Sequence, residues 1–209
     1  MEKHPQVGAC GPRLVFPDGS LQLSCSPLPT LFRETLRLFH IPPYHLNGYY
    51  AMANWDPTKV RQVEVILGAC LVVRRKAVCS AECFDTDYFM FSEEVDLCYR
   101  LGKSGWQLHW VPQAEVVHFG GESVKQAAAE MFIQLYRAKI QFFRKHHGMI
   151  DAFLYKSILG IASATRLLIT PLAFLEPKPQ SEMHLNLARN YYKLLTLLPS
   201  IENVNHKEK

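Results

Sequence analysis

The sequence predicts an α/β fold that is followed by a helical extension. Short segments rich in β-branched residues alternate with helical patterns up to about residue 121, as is typical of α/β domains. Beyond that point, the chain holds long segments whose apolar residues recur at helical spacing. We therefore predict an α/β domain over residues 1–122, a helical extension over residues 123–202 and a disordered tail over residues 203–209.

The predicted strands are apolar segments bounded by turn signals. A strand is expected over residues 6–15, and a Pro-Asp-Gly-Ser turn sequence follows it closely. The most apolar stretch, residues 63–74, predicts one buried strand that Gly68 interrupts. Two further short strands are predicted over residues 106–111 and 115–119. These segments supply the strands of the predicted sheet.

Helices are predicted where apolar residues recur every three or four positions. In chain order, the predicted helices are residues 31–40, 76–83, 93–103, 124–147, 150–175 and 181–198. Residues 41–58 contain three prolines and a glycine, which predicts an irregular loop of the kind that often carries function.

Positive charge is concentrated in the second part of the chain. The net charge is +4, but residues 125–209 carry 12 Lys and Arg against 6 Asp and Glu. A basic segment rich in apolar helices favours a membrane surface as partner, and the lack of Arg/Lys-rich runs argues against nucleic acid. Residues 157–175 are long enough to span a bilayer. Arg166 at their centre favours an interfacial or packed helix, and a single span is the alternative.

The six cysteines predict neither a disulfide framework nor a zinc site. No Cys-x-x-Cys pair occurs, and Cys79 and Cys83 have no matching Cys/His pair elsewhere. Reduced thiols, and an N-terminal segment without the apolar region of a signal peptide, predict a cytoplasmic protein. Together with the basic helices, this predicts a peripheral location at the inner face of the cell membrane.

The densest polar cluster, residues 92–96, opens a predicted helix after an aromatic loop. Acidic side chains at a helix N-terminus are favoured by the helix dipole, so capping explains them without any function. The functional alternative is a carboxylate that acts as a general base on the floor of a pocket. A second candidate is His118, which ends a strand before Gly120 and Gly121, although a lone histidine is more often structural than a metal ligand.

Three segments follow one another in a characteristic order. Residues 67–75 read LGACLVVRR, residues 84–101 read FDTDYFMFSEEVDLCYRL, and residues 105–121 hold Gly-Trp, Val-Pro, Ala-Glu-Val-Val-His and Gly-Gly. In this order and at these spacings, they resemble the family 2 glycosyltransferases, especially their rhamnosyltransferase-like branch. The resemblance covers about residues 5–147. It implies a partial GT-A-like mixed sheet with flanking helices.

The resemblance implies inverting transfer of a sugar from a nucleoside diphosphate sugar to a cell-envelope glycan or lipid-linked acceptor. The resemblance to the rhamnosyltransferase-like branch implies that this sugar is rhamnose. The second acid of the family's Glu-Asp pair is the general base, and Glu94 stands at that position with one methylene more than the family's Asp. The acceptor side is implied to include Gly68, Ala69, Glu93 and Asp96. His118 matches a histidine that, in several relatives, joins the Mg²⁺ or Mn²⁺ bound by the diphosphate.

The resemblance also shows what this sequence leaves out. The family begins with a strand–helix unit for the base and ribose, followed by an Asp-x-Asp-like metal motif, and Met1 falls after both. The Asp85-Thr86-Asp87 run is interpreted as the loop that matches the family's Phe-Asp. We therefore expect the acceptor-side portion only, in a truncated chain. The alternatives are a non-catalytic remnant, or a membrane-associated partner subunit that takes its nucleotide site from another chain.

Overall fold

A computed structural model describes residues 1–41, 50, 52–121, 127–175 and 177–201, with residues 173–175 by their backbone alone. The chain divides into two compact units, Met1–Gln126 and Ala127–Lys209, and each is described by itself. The predicted boundary between residues 122 and 123, the predicted tail and most of the predicted loop at residues 41–58 lie outside the described residues.

The first unit is built around one long central strand. Its strands are β1 (Val7–Val15), β2 (Leu21–Gln22), β3 (Cys25–Ser26), β4 (Arg61–Val63), β5 (Val65–Ile66), β6 (Val72–Val73) and β7 (Gln107–Val117). Strand β1 pairs in parallel with β7 and, along its other edge, antiparallel with β2 and β6. Strand β4 extends this sheet antiparallel to β7, and β3 pairs with β5 in a second, two-stranded sheet. The main sheet is therefore mixed, as the resemblance implies.

Strand β7 contains a bulge where the sequence predicts a break between two strands. Pro12 pairs with Val111, but the next residue, Arg13, pairs with Glu115. The extra residues on β7 begin with Pro112, which has no N–H to donate to a ladder and is tolerated in sheets at bulges. One bulged strand therefore replaces the two predicted strands.

The predicted single strand over residues 63–74 is wrong. This stretch supplies the last residue of β4, all of β5 and all of β6, so that it is divided between two sheets. The carboxylate of Glu64 accepts a hydrogen bond from the N–H of Leu28 at 2.6 Å, which fastens the stretch to the segment after β3. A turn that contains Gly68 then leads the chain back to the main sheet. Apolar composition alone cannot show that such a stretch passes from one sheet to another.

Three helices accompany the sheet: α1 (Leu31–Leu38), α2 (Arg75–Ser80) and α3 (Glu93–Lys103). The sequence prediction for α3 is confirmed at both ends, and the predictions for α1 and α2 are confirmed within a few residues. Helix α3 buries Leu97, Cys98 and Leu101 against β5 and β7, where Trp110 is also buried. This contact fixes the N-terminal end of α3 relative to the sheet.

The second unit consists of three packed helices, α4 (Ala128–His147), α5 (Met149–Ile169) and α6 (Lys178–Leu197). Gly148 alone separates α4 from α5, and its φ of +93° is one that glycine adopts without strain. Tyr155, Leu159 and Leu194 are fully buried between the helices. The predicted helical extension is thus confirmed.

Among the described residues, the segment Met149–Leu172 is the one helix long and apolar enough to cross a membrane by length and composition. Such a helix is weak support for a span, because core helices of soluble proteins share these properties. The guanidinium of Arg166 lies 5.2 Å from the ring centroid of Tyr191 on α6, so the packed helices accommodate this charge.

We predict that Gly8→Ala destabilises the first unit. A Cβ at this buried position of β1 would lie 2.7 Å from Cβ of Trp106, and such overpacking costs about 1–3 kcal/mol. Gly102→Ala is the matched control, because a Cβ there meets no atom within 4 Å and alanine favours a helix by up to about 1 kcal/mol. Urea denaturation measures both, and equal midpoints for the two variants would contradict the predicted clash.

Candidate active site

The acidic cluster follows two residues whose backbone is in the left-handed region. Phe91 has φ 68° and Ser92 has φ 64°, which is uncommon for residues other than glycine and costs of order 1 kcal/mol each. Ser92 makes no side-chain capping bond to α3, although its carbonyl accepts from the N–H of Asp96 at 2.8 Å. Side-chain capping by Ser92 therefore does not account for this turn. The turn leads directly into the first residues of α3, Glu93 and Glu94, which are partly buried.

Glu94 lies against Gly68, which follows β5 on an exposed turn. A Cβ at Gly68 would lie 3.6 Å from Cβ of Glu94 and 3.8 Å from its Cγ, which is ordinary van der Waals contact. The neighbouring Ala69 is exposed as well. The structure thus brings together three of the residues predicted for the site, with a small-residue turn open to solvent beside the glutamate.

The pKa of Glu94 is raised from an ordinary value of 4.5 to about 7, mainly by burial and in addition by the charge of Glu93. Hydrogen bonds from the backbone N–H groups of Glu94, Val95 and Gly68 oppose this effect. One carboxyl oxygen of Glu94, Oε2, is buried and has no hydrogen-bond partner among the described residues. A carboxyl with a pKa near 7 and an unused oxygen is suited to take up a proton at neutral pH.

Glu93 is the like-charged neighbour at the start of α3. Its Oε2 atom is also buried without a hydrogen-bond partner within the described part of the chain. The negative charge of Glu93 disfavours ionisation of Glu94, in addition to the larger effect of burial. Glu93 therefore contributes to the site at least through its effect on the protonation of Glu94.

Asp96 points away from the open turn and into the interior. It is completely buried, and its Oδ2 atom accepts from Nε of Arg100 at 2.7 Å and pairs with a terminal nitrogen of that side chain at 2.6 Å. The same arginine donates to the carbonyl oxygen of Cys83 at 2.7 Å. The pair thus ties α3 to the beginning of the aromatic loop, residues 84–92. The predicted contact of Asp96 with an acceptor stays a prediction.

His118 follows β7 directly and is held by two hydrogen bonds. Its backbone N–H donates to the carbonyl of Val15 at 2.9 Å, and its Nδ1 lies 3.0 Å from Oε1 of Gln22. A Cβ at Gly120 would lie 2.8 Å from Nε2 of Gln22, so the glycine makes room for this partner. The sequence does not predict that Gln22 contacts His118, because the two-residue strand β2 is too short to show an alternating pattern of polar and apolar residues.

The topology gives the relative directions of α3, which begins with Glu93 and Glu94, and of β7, which His118 follows. Helix α3 is joined to β7 by three residues and packs against it, so the two elements run antiparallel. Because a helix rises about 1.5 Å per residue and a strand about 3.3 Å, the 11-residue α3 reaches only to about the middle of the 11-residue β7, so a site shared by Glu94 and His118 stays a prediction. The parallel strand β1 ends level with β7, since Val15 pairs with Val117.

Two kinds of proteins with curated descriptions are similar to this chain in sequence. An N-acetylglucosaminyl-diphospho-decaprenol L-rhamnosyltransferase of Mycobacterium tuberculosis, found in strains CDC 1551 / Oshkosh and ATCC 25618 / H37Rv, is 35% identical over 147 residues. This match covers 69% of the chain and 48% of the relative. Rhamnosyltransferase WbbL of Escherichia coli K12 is 37% identical over 57 residues, which are 27% of the chain and 22% of that protein. No family model matches the chain.

The chain belongs to the rhamnosyltransferase-like branch of the family 2 glycosyltransferases. The mixed sheet with flanking helices is consistent with a partial GT-A-like fold. This glycosyltransferase chain spans about half the length of the mycobacterial relatives that it matches.

The divalent cation implied by the family has few ligands in the described residues of this glycosyltransferase chain. They contain no group of three His, Cys, Asp or Glu side chains that could hold a metal ion. His118 is engaged with Gln22, an amide that metal sites use less often than carboxylates or imidazoles. These residues do not fit a metal site by themselves. The role of His118 toward a cation stays a prediction.

We predict that Glu94→Gln stabilises the protein at pH 8. Because the pKa of Glu94 is raised in the folded state, the unfolded chain releases this proton first as the pH rises. Burying the carboxylate therefore costs stability from about pH 4.5 upward, and the full cost is present above pH 7. Removing the charge should raise the free energy of unfolding by about 1–3 kcal/mol at pH 8.

The gain should shrink to about a quarter at pH 5, where the group is protonated in the folded state but still mostly ionised in the unfolded state. Glu115→Gln is the control, because it removes an exposed carboxylate that pairs with Arg13 at 2.9 Å. Such surface pairs contribute about 0–1 kcal/mol. Urea denaturation at both pH values measures the two variants. A Glu94→Gln gain of the same size at pH 5 and pH 8 would contradict the raised pKa.

Proposed function

We propose that this chain provides the acceptor side of an inverting rhamnosyl transfer from a nucleoside diphosphate, with Glu94 as the general base. The observation that supports this most strongly is the buried Glu94 carboxyl. Its pKa is raised to about 7, and it stands beside the exposed turn of Gly68 and Ala69. Such a group is mostly protonated below neutral pH and is able to accept a proton at neutral pH.

In the proposed reaction, the Glu94 carboxylate takes the proton of the acceptor hydroxyl. At the same time, the oxygen of that hydroxyl forms a bond to the anomeric carbon of the donor sugar. The bond between that carbon and the diphosphate breaks on the opposite face, which inverts the configuration. The nucleoside diphosphate leaves with the bonding electron pair. Glu94 ends the step protonated and then returns its proton to water.

Gly68 explains how a glutamate can stand where the family has an aspartate. The longer side chain needs space for one more methylene group, and Gly68 offers it because it has no side chain at the point of contact. We therefore propose that the carboxyl group reaches a working position despite its greater length. A Cβ at position 68 would already touch the Glu94 side chain at 3.6 Å, so residues larger than alanine would compete with Glu94 for this space.

The acceptor is proposed to be a lipid-linked glycan at a membrane surface. The mycobacterial relative is described as acting on a diphospho-decaprenol derivative. In this chain, apolar side chains such as Ile150 and Phe153 are exposed on α5, and the last turn of α4 carries Arg144 and Lys145. We place the nucleotide-binding side outside these residues, in a longer protein or in a partner chain.

We predict that Glu94→Gln abolishes transfer without weakening donor binding, because a base acts only in the chemical step. The test joins this chain to the N-terminal half of the mycobacterial relative. It measures rhamnose transfer from dTDP-rhamnose to N-acetylglucosaminyl-diphospho-decaprenol, and donor binding by calorimetry. Glu94→Asp, which restores the family's residue, is expected to keep or raise the rate.

Loss of transfer by about 100-fold or more is expected for Glu94→Gln, a magnitude typical of general bases. Glu82→Gln is the matched control, because this glutamate is exposed and lies before the aromatic loop. Full activity of the Glu94→Gln protein would show that another group is the base. Donor binding without transfer in the parent fusion would favour the non-catalytic alternative.

We predict that the chain binds vesicles that contain anionic lipid, and that binding falls as salt rises. Exposed charges are screened over about 10 Å at 0.1 M salt. Lys145→Gln should weaken co-sedimentation, whereas Lys59→Gln should not, because Lys59 lies in the first unit and pairs with Asp56 at 3.3 Å. Binding that ignores salt and needs detergent for release would instead show that the segment Met149–Leu172 spans the bilayer.

A further inference from the structure

The amide side chain of Gln22 holds the ring of His118 in place. Gln22 lies on β2, where it pairs with Leu14 of β1, and His118 follows β7, the strand on the other side of β1. The two side chains meet near the end of β1, where Nδ1 of His118 lies 3.0 Å from Oε1 of Gln22. The backbone N–H of His118 also donates to the carbonyl of Val15 at 2.9 Å. Both the main chain and the ring of His118 are therefore fixed.

The amide of Gln22 presents its oxygen to the ring. Its nitrogen, Nε2, lies on the side of Gly120, where a Cβ would be only 2.8 Å away. An amide oxygen only accepts hydrogen bonds, so Nδ1 of His118 donates. In a neutral ring, the lone pair is then on Nε2 of His118. Within the described part of the chain, that nitrogen makes no hydrogen bond.

A second histidine–glutamine pair in the same unit has the opposite arrangement. Nε2 of His109 lies 3.2 Å from Oε1 of Gln107, so this ring donates through Nε2. Neutral histidine in water prefers to carry its proton on Nε2. His109 therefore keeps the ordinary tautomer, whereas His118 needs the oxygen of Gln22 to stabilise the less favoured one.

We propose that Gln22 is a positioning residue, which keeps the proton of His118 on Nδ1 and leaves Nε2 to accept a hydrogen bond from a substrate hydroxyl. The inference rests on the proposed function, because it takes the sugars of the proposed transfer as the ligands. In this tautomer, Nε2 has no proton to donate to a diphosphate oxygen. A hydroxyl, the commonest donor group of a sugar, fits an isolated imidazole lone pair, since the described residues offer no cluster of metal ligands around it.

Nitrogen NMR of the chain with isotope-labelled histidine measures the tautomer directly. The ring nitrogen that carries the proton and the one that carries the lone pair resonate far apart. Spectra recorded at about pH 8.5 contain mainly neutral rings. The signals are assigned by their loss in His118→Asn and His109→Asn. We expect the proton on Nδ1 in His118 and on Nε2 in His109.

Gln22→Leu and Gln22→Glu are matched variants, because only the second keeps an oxygen that accepts from Nδ1. Gln22→Leu should shift the tautomer ratio of His118 toward a proton on Nε2 by about fivefold or more, which corresponds to about 1 kcal/mol. Gln22→Glu should keep the proton on Nδ1. Gln107→Leu, at the other pair, should leave His118 unchanged. The spectrum of the parent chain tests the tautomer even if a variant does not fold.

The fusion with the N-terminal half of the mycobacterial relative tests the consequence for transfer. Gln22→Leu should lower kcat/KM by about tenfold, as is typical when the residue that orients a functional histidine is lost. Gln22→Glu and Gln107→Leu should stay near the parent value. Weaker donor binding in the Gln22→Leu fusion would assign the hydroxyl to the donor sugar. Unchanged donor binding with a raised KM for the acceptor would assign it to the acceptor.

A proton on Nε2 of His118 in the parent chain would overturn the inference. Equal tautomer ratios in the parent and Gln22→Leu chains, or unchanged transfer despite a shifted ratio, would also overturn it. The spectra need no transfer, so this test is separate from the proposed function. If His118 shows the Gln22-dependent tautomer while the Glu94→Gln fusion transfers sugar at full rate, only the role of Glu94 is contradicted.

Discussion

The buried ion pair between Asp96 and Arg100 is the interaction on which the candidate site depends. A charge in the interior is stable only when it is paired and hydrogen-bonded, and Arg100 meets this need while it also binds the carbonyl of Cys83. The pair therefore joins the first turns of α3 to the start of the aromatic loop. The left-handed conformation of Phe91 and Ser92, which costs energy, persists because its two flanks are held in this way. This turn immediately precedes Glu93 and Glu94, so it sets the position of Glu94 at the start of α3.

Much of the fold could be predicted because the local patterns are strong. Helix α3 has an apolar face, an acidic first turn and a glycine after its end, and its prediction is confirmed at both ends. The stretch over residues 63–74 could not be resolved by the same reasoning. A run of β-branched residues is equally apolar whether it forms one strand or contributes to two sheets. The bond from Leu28 to Glu64 joins residues that lie far apart in the sequence, and no local pattern reveals it.

In the candidate site, too, some features could be predicted from the sequence, whereas others depend on contacts between distant residues. Residue types and their order identify Glu94 and His118 as candidates, and the resemblance to family 2 glycosyltransferases gives them roles. Their surroundings depend on contacts between distant residues: Gly68 against Glu94, and Gln22 beside His118. The raised pKa of Glu94 arises from burial, which composition does not report. The sequence thus names the reactive groups, while the tertiary structure sets their chemistry.

The parallel pairing of β1 with β7 has a consequence for how this chain folds. Val7 pairs with Gln107, so the two paired strands are separated in the sequence by most of the first unit. Strand β1 can complete its pairing only after β7 has been synthesised. Such non-local pairing slows folding, because the entropy of closing a long loop is lost before the contact forms. During synthesis, one edge of β1 emerges long before β7 exists, and an unpaired strand edge invites association with other chains. The early antiparallel hairpin with β2 covers only the other edge.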